Sequence, residues 1–305
     1  MLATEVSITV ARRRHPDANR VTQEKRNHMR FTPRTARLAG AAVAAALAIG
    51  LAGCASTPAA EPTDSSVDSL GTLKVGALAT PAGDILKYIQ DNLAADAGLT
   101  IEFQEFTDYN TPNIALSDGS IDANLFQNAT FLKNYNDSTG SDLVSVGEAY
   151  LPSAAFYSDK VKSIDDLKNG AKIAIPNDPT NEGRALGILA DKGLIEIKDG
   201  ATTLADITGN PHKFEFVEIE NATLPQAVAD VDTAFVTISF ALPAGLTSSE
   251  AILVEGDSSN YFNVLATSPA LKDDPRIKKL YELLTSPEVA KFELDTWGGL
   301  VVPVS

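Results

Sequence analysis

The chain has 305 residues, with 25 Lys and Arg against 40 Asp and Glu, for a formal charge of −15. That length allows one large or two medium domains, and a content of 44% hydrophobic and 21% charged residues excludes collagen, wholesale disorder and a polytopic membrane protein. The acidic balance argues against nucleic acid as a partner, because phosphates require Lys and Arg clustered on one face. A single cysteine, Cys54, excludes an intrachain disulfide or a thiolate metal cluster.

The N-terminal segment reads as an address. Arg30, Arg34 and Arg37 precede a charge-free run from Leu38 to Gly53, rich in Ala and Leu, that ends in Leu51-Ala52-Gly53-Cys54. A basic region, an apolar region and a small-residue cleavage site make residues 1–53 a signal peptide, and the run is marginal in length for a transmembrane helix. A cysteine directly after Leu-Ala-Gly resembles a bacterial lipobox, whose sulfur carries a lipid; the other reading is an Ala-rich anchor with an incidental thiol. Glu5, Asp17 and Glu24 stand among many Arg ahead of Met29, which suits an upstream extension with translation starting at Met29. Residues 1–53 hold nine Lys and Arg and three acids, so the remainder is more acidic than the whole chain. Anionic headgroups repel such a surface. Attachment to the extracytoplasmic face of the cell membrane then rests on the lipid at Cys54. Residues 54–71, dense in Ala, Ser, Thr, Pro and Asp, read as a tether.

Folded sequence starts near Leu73. Residues 73–79 alternate apolar and other positions, predicting a strand, and Ile85, Leu86, Ile89 and Leu93 at helical spacing predict a helix over 84–95. The pattern continues with a strand over 100–106, a helix over 112–117, a strand over 121–125, a helix over 129–135 and a strand over 143–146. Leu151-Pro152 then interrupts an extended run between Ala149 and Ser158. A second series follows: a short helix over 164–167, a strand over 172–175, a helix over 181–192 and a strand over 213–219. Strands alternating with helices predict an α/β fold of two lobes with largely parallel sheets. A ligand would sit in the crevice between the lobes, at the carboxyl ends of strands.

Catalytic chemistry is nearly absent. His212 is the one histidine after Cys54, so no Cys/His pair or His-built metal site can form from this part of the chain. A hydrolase would have to recruit His212, yet no G-x-S-x-G elbow exists, and neither phosphate-binding nor dinucleotide glycine motifs occur. The reading is of a non-enzyme without cofactor or metal. Asp118-Gly119-Ser120-Ile121-Asp122-Ala123-Asn124 superficially resembles a calcium loop, but Ala123 and Ala129 replace the Gly and Glu that such a loop needs, so it reads as a turn into a strand.

The richest polar segment is Ile173 to Leu186. A buried strand enters a tight loop, Asp178 is placed as helix N-cap and Pro179 as the first helical residue. Arg184 follows on the first turns, where the helix dipole is already positive, so an anion would be needed to meet it. A guanidinium grips a carboxylate in bidentate fashion. Two readings of Arg184 stand from the residues alone: a headgroup clamp, or a surface salt bridge to Glu182 or Asp178.

Several segments carry a resemblance in one order: Phe106-Thr107-Asp108-Tyr109-Asn110-Thr111-Pro112-Asn113, Gly119 to Gln127, Val146-Gly147, Ile175 to Leu186, Lys192 to Ile195, Leu224-Pro225 and Gly298-Gly299. Together they resemble the NlpA/MetQ family of substrate-binding lipoproteins, methionine receptors of ABC importers, from about Leu73 to the C-terminus. The resemblance implies a two-lobed periplasmic-binding-protein fold of type II character. Its lobes would be residues 72–150 plus 268–305, and residues 151–267. It also implies delivery of the ligand to a permease served by a cytoplasmic ATPase. Carried over by position, Arg184 would hold the ligand carboxylate and Asn181 its headgroup, with Asn263 a further asparagine from the second lobe. Tyr109 and Phe126 would flank the ligand side chain; alternatively Phe126 is plain core and Tyr109 a helix-entry staple. The sequence departs from the family at Asn128, Phe131 and Thr237, where His, Tyr and Asn are expected. The ligand implied is methionine, with another apolar amino acid or a methionine-containing dipeptide as the alternative. A hydrolase on the same fold and a structural lipoprotein with a dead cleft are the readings of other classes.

Overall fold

The structure, a computed structural model, describes residues 69–304 except 248, 257 and 258. Cys54 and the expected signal segment lie outside the described residues, as does the tether up to residue 68. The first stretch runs β1 (Gly71–Leu78), α1 (Asp84–Asn92), β2 (Leu99–Phe106), α2 (Thr111–Ser117), β3 (Ala123–Asn128), α3 (Ala129–Thr139) and β4 (Val144–Pro152). The second runs β5 (Ala154–Tyr157), β6 (Lys172–Pro176), α4 (Pro179–Asp191), β7 (Glu196–Ile197), β8 (Ile207–Gly209) and β9 (Glu215–Ile219), then α5 (Leu224–Ala227), β10 (Thr233–Thr237), α6 (Ile238–Ala241) and β11 (Ala251–Val254). The chain closes with β12 (Asn263–Thr267), α7 (Pro275–Leu284), α8 (Pro287–Trp297) and β13 (Val301–Pro303).

Two sheets organise these elements. One has strand order β13-β4-β12-β3-β1-β2 and the other β11-β5-β10-β6-β9, with β7 and β8 forming a separate ribbon. β1 runs parallel to β2 and β3, and β6 parallel to β9 and β10. β12 is antiparallel to β3 and β4, β13 to β4, and β5 to β10 and β11. Both sheets are therefore mixed, not largely parallel: β5 and β12 are the strands by which the chain crosses from one sheet to the other, and each enters against the direction of its neighbours.

The crossings define the lobes. The first falls at Ser153, inside the expected break. The second falls between β11 and β12, because β12 inserts between β3 and β4 of the first sheet. Residues 263–267, and Asn263 with them, thus belong to the first lobe and not, as the sequence suggests, to the second.

Local chemistry explains the elements. In β1, Leu73, Val75 and Ala77 are buried on one face, and in α1 Ile85, Leu86 and Ile89 are buried at helical spacing against them. α7 begins at a capping aspartate, Asp274, whose carboxylate accepts from Arg276 N, and buries Ile277, Leu280 and Leu284. α8 begins at Ser286, whose hydroxyl accepts from Val289 N, and ends at Gly298 in the left-handed conformation that glycine adopts freely. The second lobe has its own core of Phe156, Ile173, Ile175, Leu186 and Phe235. A third cluster, containing Tyr109, Phe126, Val236 and Phe240, joins side chains of both lobes.

Candidate functional site

Each wall of the crevice is built by a strand that ends in a helix start. In the second lobe, β6 stops at Pro176 and α4 starts at Pro179, with the Asp178 carboxylate accepting from Asn181 N at 2.9 Å. The expected cap is thus in place. Gly183 lets the loop at Ala201 and Thr202 lie against α4, since a Cβ there would stand 2.5 Å from the Ala201 carbonyl oxygen. Glu182 turns to the same loop and accepts from Leu204 N at 2.6 Å, and burial pushes its carboxyl above the ordinary range. Arg184 is left facing the crevice.

In the first lobe, β3 delivers Phe126, Gln127 and Asn128 to the crevice. Below them Asn113, Asn124 and Gln127 form a buried amide network with bonds of 2.6–3.0 Å, which ties the end of β3 to α2. Asp108 caps the turn into α2 by accepting from Asn110 N and Thr111 N, which fixes the neighbouring Tyr109. Asn128 is the N-cap of α3: its Oδ1 accepts from Phe131 N at 2.9 Å. Where the resemblance expects a histidine, this chain has a helix-capping side chain.

These groups surround one narrow cavity. Tyr109, Phe126, Asn128 and Phe131 line it from the first lobe together with Asn263; Asn181, Arg184 and Thr237 line it from the second. All eight residues singled out in the sequence therefore meet at one place, with Gln127 and Pro152 beside them. Tyr109 packs against Phe126 at 5.7 Å, Phe131 at 5.9 Å and Phe240 at 4.8 Å between ring centroids, an apolar wall of tilted and edge-on aromatics. Its hydroxyl is 3.0 Å from Thr237 Oγ1, a bond that spans the two lobes, and burial raises its pKa. Asn134 Nδ2 also crosses, donating to Thr180 Oγ1 at 2.9 Å.

The polar end has a defined sense. Asn181 donates Nδ2 to both Asp178 carboxylate oxygens, at 3.2 and 3.0 Å, so its Oδ1 remains as an acceptor. Asn263 donates Nδ2 to Tyr150 Oη at 3.0 Å and likewise retains Oδ1. Arg184 supplies the opposite sign. Its Nε donates to Glu255 Oε1 at 2.7 Å, and Nη2 donates to Glu255 Oε2 and, at 2.8 Å, to the Pro152 carbonyl. The guanidinium stands over the Tyr261 ring, 4.7 Å from its centroid. Arg184 and Glu255 expose only 2% and 7% of their side chains. The arginine is thus buried and paired, but with neither Glu182 nor Asp178, the partners its sequence neighbourhood suggests.

Glu255, Tyr150 and Tyr261 are the supporting residues that the sequence does not reveal. Glu255 follows the apolar run Ile252-Leu253-Val254 of β11, and a carboxylate directly after an apolar strand is a faint signal of pairing. Nothing local points to an arginine 71 positions earlier.

A chain that passes twice between two mixed α/β sheets, and whose lobes meet over one cavity lined by strand ends, has the fold of the periplasmic substrate-binding proteins. The sequence matches the NlpA lipoprotein family over residues 73–305, and the chain belongs to that family. Among its relatives is the D-methionine-binding lipoprotein MetQ of Salmonella typhi, 38% identical over 233 residues that cover 74% of this chain and 86% of that protein. The structure of a nutrient-binding protein from Burkholderia cenocepacia bound to methionine superposes with a TM-score of 0.74 at 38% identity, covering 76% of this chain and all of that one. A periplasmic substrate-binding protein of an ABC transporter from Coxiella burnetii matches with a TM-score of 0.73 at 40% identity, covering 76% of this chain and 100% of its own.

Proposed function

We propose that this protein is a lipid-anchored, non-enzymatic receptor that binds methionine between its lobes and delivers it to the permease of an ABC importer. The observation that carries the reading is the polarity of the cavity. Arg184 offers a guanidinium for a carboxylate, Asn181 and Asn263 offer amide oxygens for an ammonium, and an aromatic wall stands beside both. That set is complementary to an α-amino acid with an uncharged, apolar side chain. The methionine-binding names of the relatives support the same ligand. As it stands the cavity has little more room than one water molecule needs, so entry of an amino acid requires the lobes or the aromatic side chains to separate.

Attachment follows from Cys54 in its lipobox setting. Among the described residues no helix is long and apolar enough to cross a membrane, and a lipid on Cys54 would leave the folded lobes on the extracytoplasmic face. The permease and its ATPase are the partners that the ABC-transporter relatives support. Mass spectrometry of small molecules released when the purified protein is denatured tests the ligand: methionine is expected, and reproducible release of a different compound instead contradicts the reading.

A further inference from the structure

Arg184 and Glu255 form a nearly solvent-free pair in which the carboxylate takes the Nε and Nη2 edge of the guanidinium. Glu255 does not line the cavity; it lies behind Arg184, and together the two border a wider groove with Tyr261. Nη2 is further held by the Pro152 carbonyl and the guanidinium plane by the Tyr261 ring. Three consequences follow from ordinary electrostatics. The arginine cannot turn its Nε and Nη2 edge to the ligand without breaking a buried pair. Its positive charge is already balanced by Glu255 before any ligand arrives. At the start of α4, Asp178 receives amide hydrogens from Asn181 and Asn221 at 2.7–3.2 Å, so the Asn181 end of the cavity leans negative.

We infer that Glu255 is a positioning and specificity-determining residue: by cancelling the charge of Arg184 it makes the cavity select a zwitterion and reject a simple carboxylate. This rests on the amino-acid reading above. A zwitterion adds no net charge to the balanced pair, whereas a carboxylate lacking the ammonium adds a buried negative charge that nothing offsets. Replacing Glu255 by glutamine reverses the balance. The uncompensated guanidinium then suits the anion, and the zwitterion leaves a net positive site.

The test uses L-methionine and the 2-hydroxy acid of the same carbon skeleton, titrated calorimetrically into ligand-stripped parent, Glu255→Gln and Glu255→Asp proteins, with thermal unfolding confirming that each is folded. The parent should prefer methionine by at least about 100-fold, as expected when polar groups built for a substrate N–H are left unpaired. In Glu255→Gln the ratio of the two dissociation constants should move at least about tenfold towards the hydroxy acid. Glu255→Asp, which keeps the charge, should stay on the parent's side. A purely structural glutamate would weaken both ligands alike, so a ratio in Glu255→Gln within about twofold of the parent's overturns the inference. The parent's own preference is a second reading that needs no variant: equal affinity for both compounds overturns it too. A parent that binds neither compound overturns the amino-acid reading itself, through a different observation from the ratio.

Discussion

Glu293 lies on the buried face of α8, 1% exposed, and its Oε2 has no hydrogen-bond partner among the described residues. Desolvation pushes its pKa from 4.5 up to about 8. The sign of the linkage follows. An unfolded chain releases this proton near pH 4.5, while the folded chain keeps it to about 8. Between those values the unfolded state binds fewer protons, so stability falls as pH rises, by about 1.4 kcal/mol per pH unit from this group. Below the window both states are protonated and the group contributes no slope; above it both are ionised and the fold bears the whole penalty, on the order of 5 kcal/mol. Carboxylates held below their ordinary pKa act elsewhere. Asp274, bonded to Arg276, and Asp232, bonded to Lys172 N, contribute stability that is present above the ordinary carboxylate range and lost as pH falls through their depressed values. Glu293→Gln removes the ionisation and nothing else that titrates. Urea unfolding of ligand-free parent and variant at pH 5, 6, 7 and 8, with m checked for constancy, should show the variant gaining on the parent by about 3 kcal/mol or more across the series. Curves that stay parallel to within about 0.5 kcal/mol would refute the assignment of a buried, neutral carboxylic acid.

Three further outcomes are expected. Arg184→Ala strands the Glu255 carboxylate and should cost about 3–5 kcal/mol of ligand-free stability by urea unfolding, whereas the double variant Arg184→Leu with Glu255→Leu should recover most of it; equal stability of parent and single variant would contradict the pairing. Tyr109→Phe removes the hydroxyl that reaches Thr237 across the lobes, so methionine affinity should drop by about 1 kcal/mol, and Thr237→Val should add little to that loss. Additive losses in the double variant would mean the two hydroxyls act separately. Cys54→Ser should abolish labelling by a radioactive fatty acid, and persistent label in the variant would overturn the lipobox reading.

How far the sequence discloses this molecule depends on whether a feature is local. β1, α1 and β2 are legible because Leu73, Val75, Ile85, Leu86 and Ile89 repeat at the periods of a strand and a helix. The start of α4 is legible for the same reason: Asp178-Pro179 is a cap and first-turn pair whatever surrounds it. β10 is harder, since Ala234-Phe235-Val236 is buried on both faces and runs straight into Ile238 of α6, so its apolar run shows no period. β12 is not legible as a first-lobe strand at all. Its place between β3 and β4 depends on partners more than 100 residues away in the chain, and only the folded topology puts Asn263 opposite Asn128 and Tyr150. The site divides similarly. Tyr109, Phe126, Asn181 and Arg184 stand out as polar or aromatic groups at element ends and in segments that resemble a family. Glu255 and Tyr150 act by holding other side chains, and their roles exist only once distant segments meet.

The central claim is that the crevice binds a methionine-sized zwitterion through Arg184 and two amide oxygens against an aromatic wall. Calorimetric titration of ligand-stripped protein with a panel of free amino acids tests it most directly. Methionine should bind most tightly, and leucine should follow within about 1–3 kcal/mol because apolar contacts discriminate a methylene only weakly. Glutamate and lysine should not bind, because their extra charge would be buried without a partner. Tight binding of glutamate or lysine, or binding of no amino acid at all, would contradict the account.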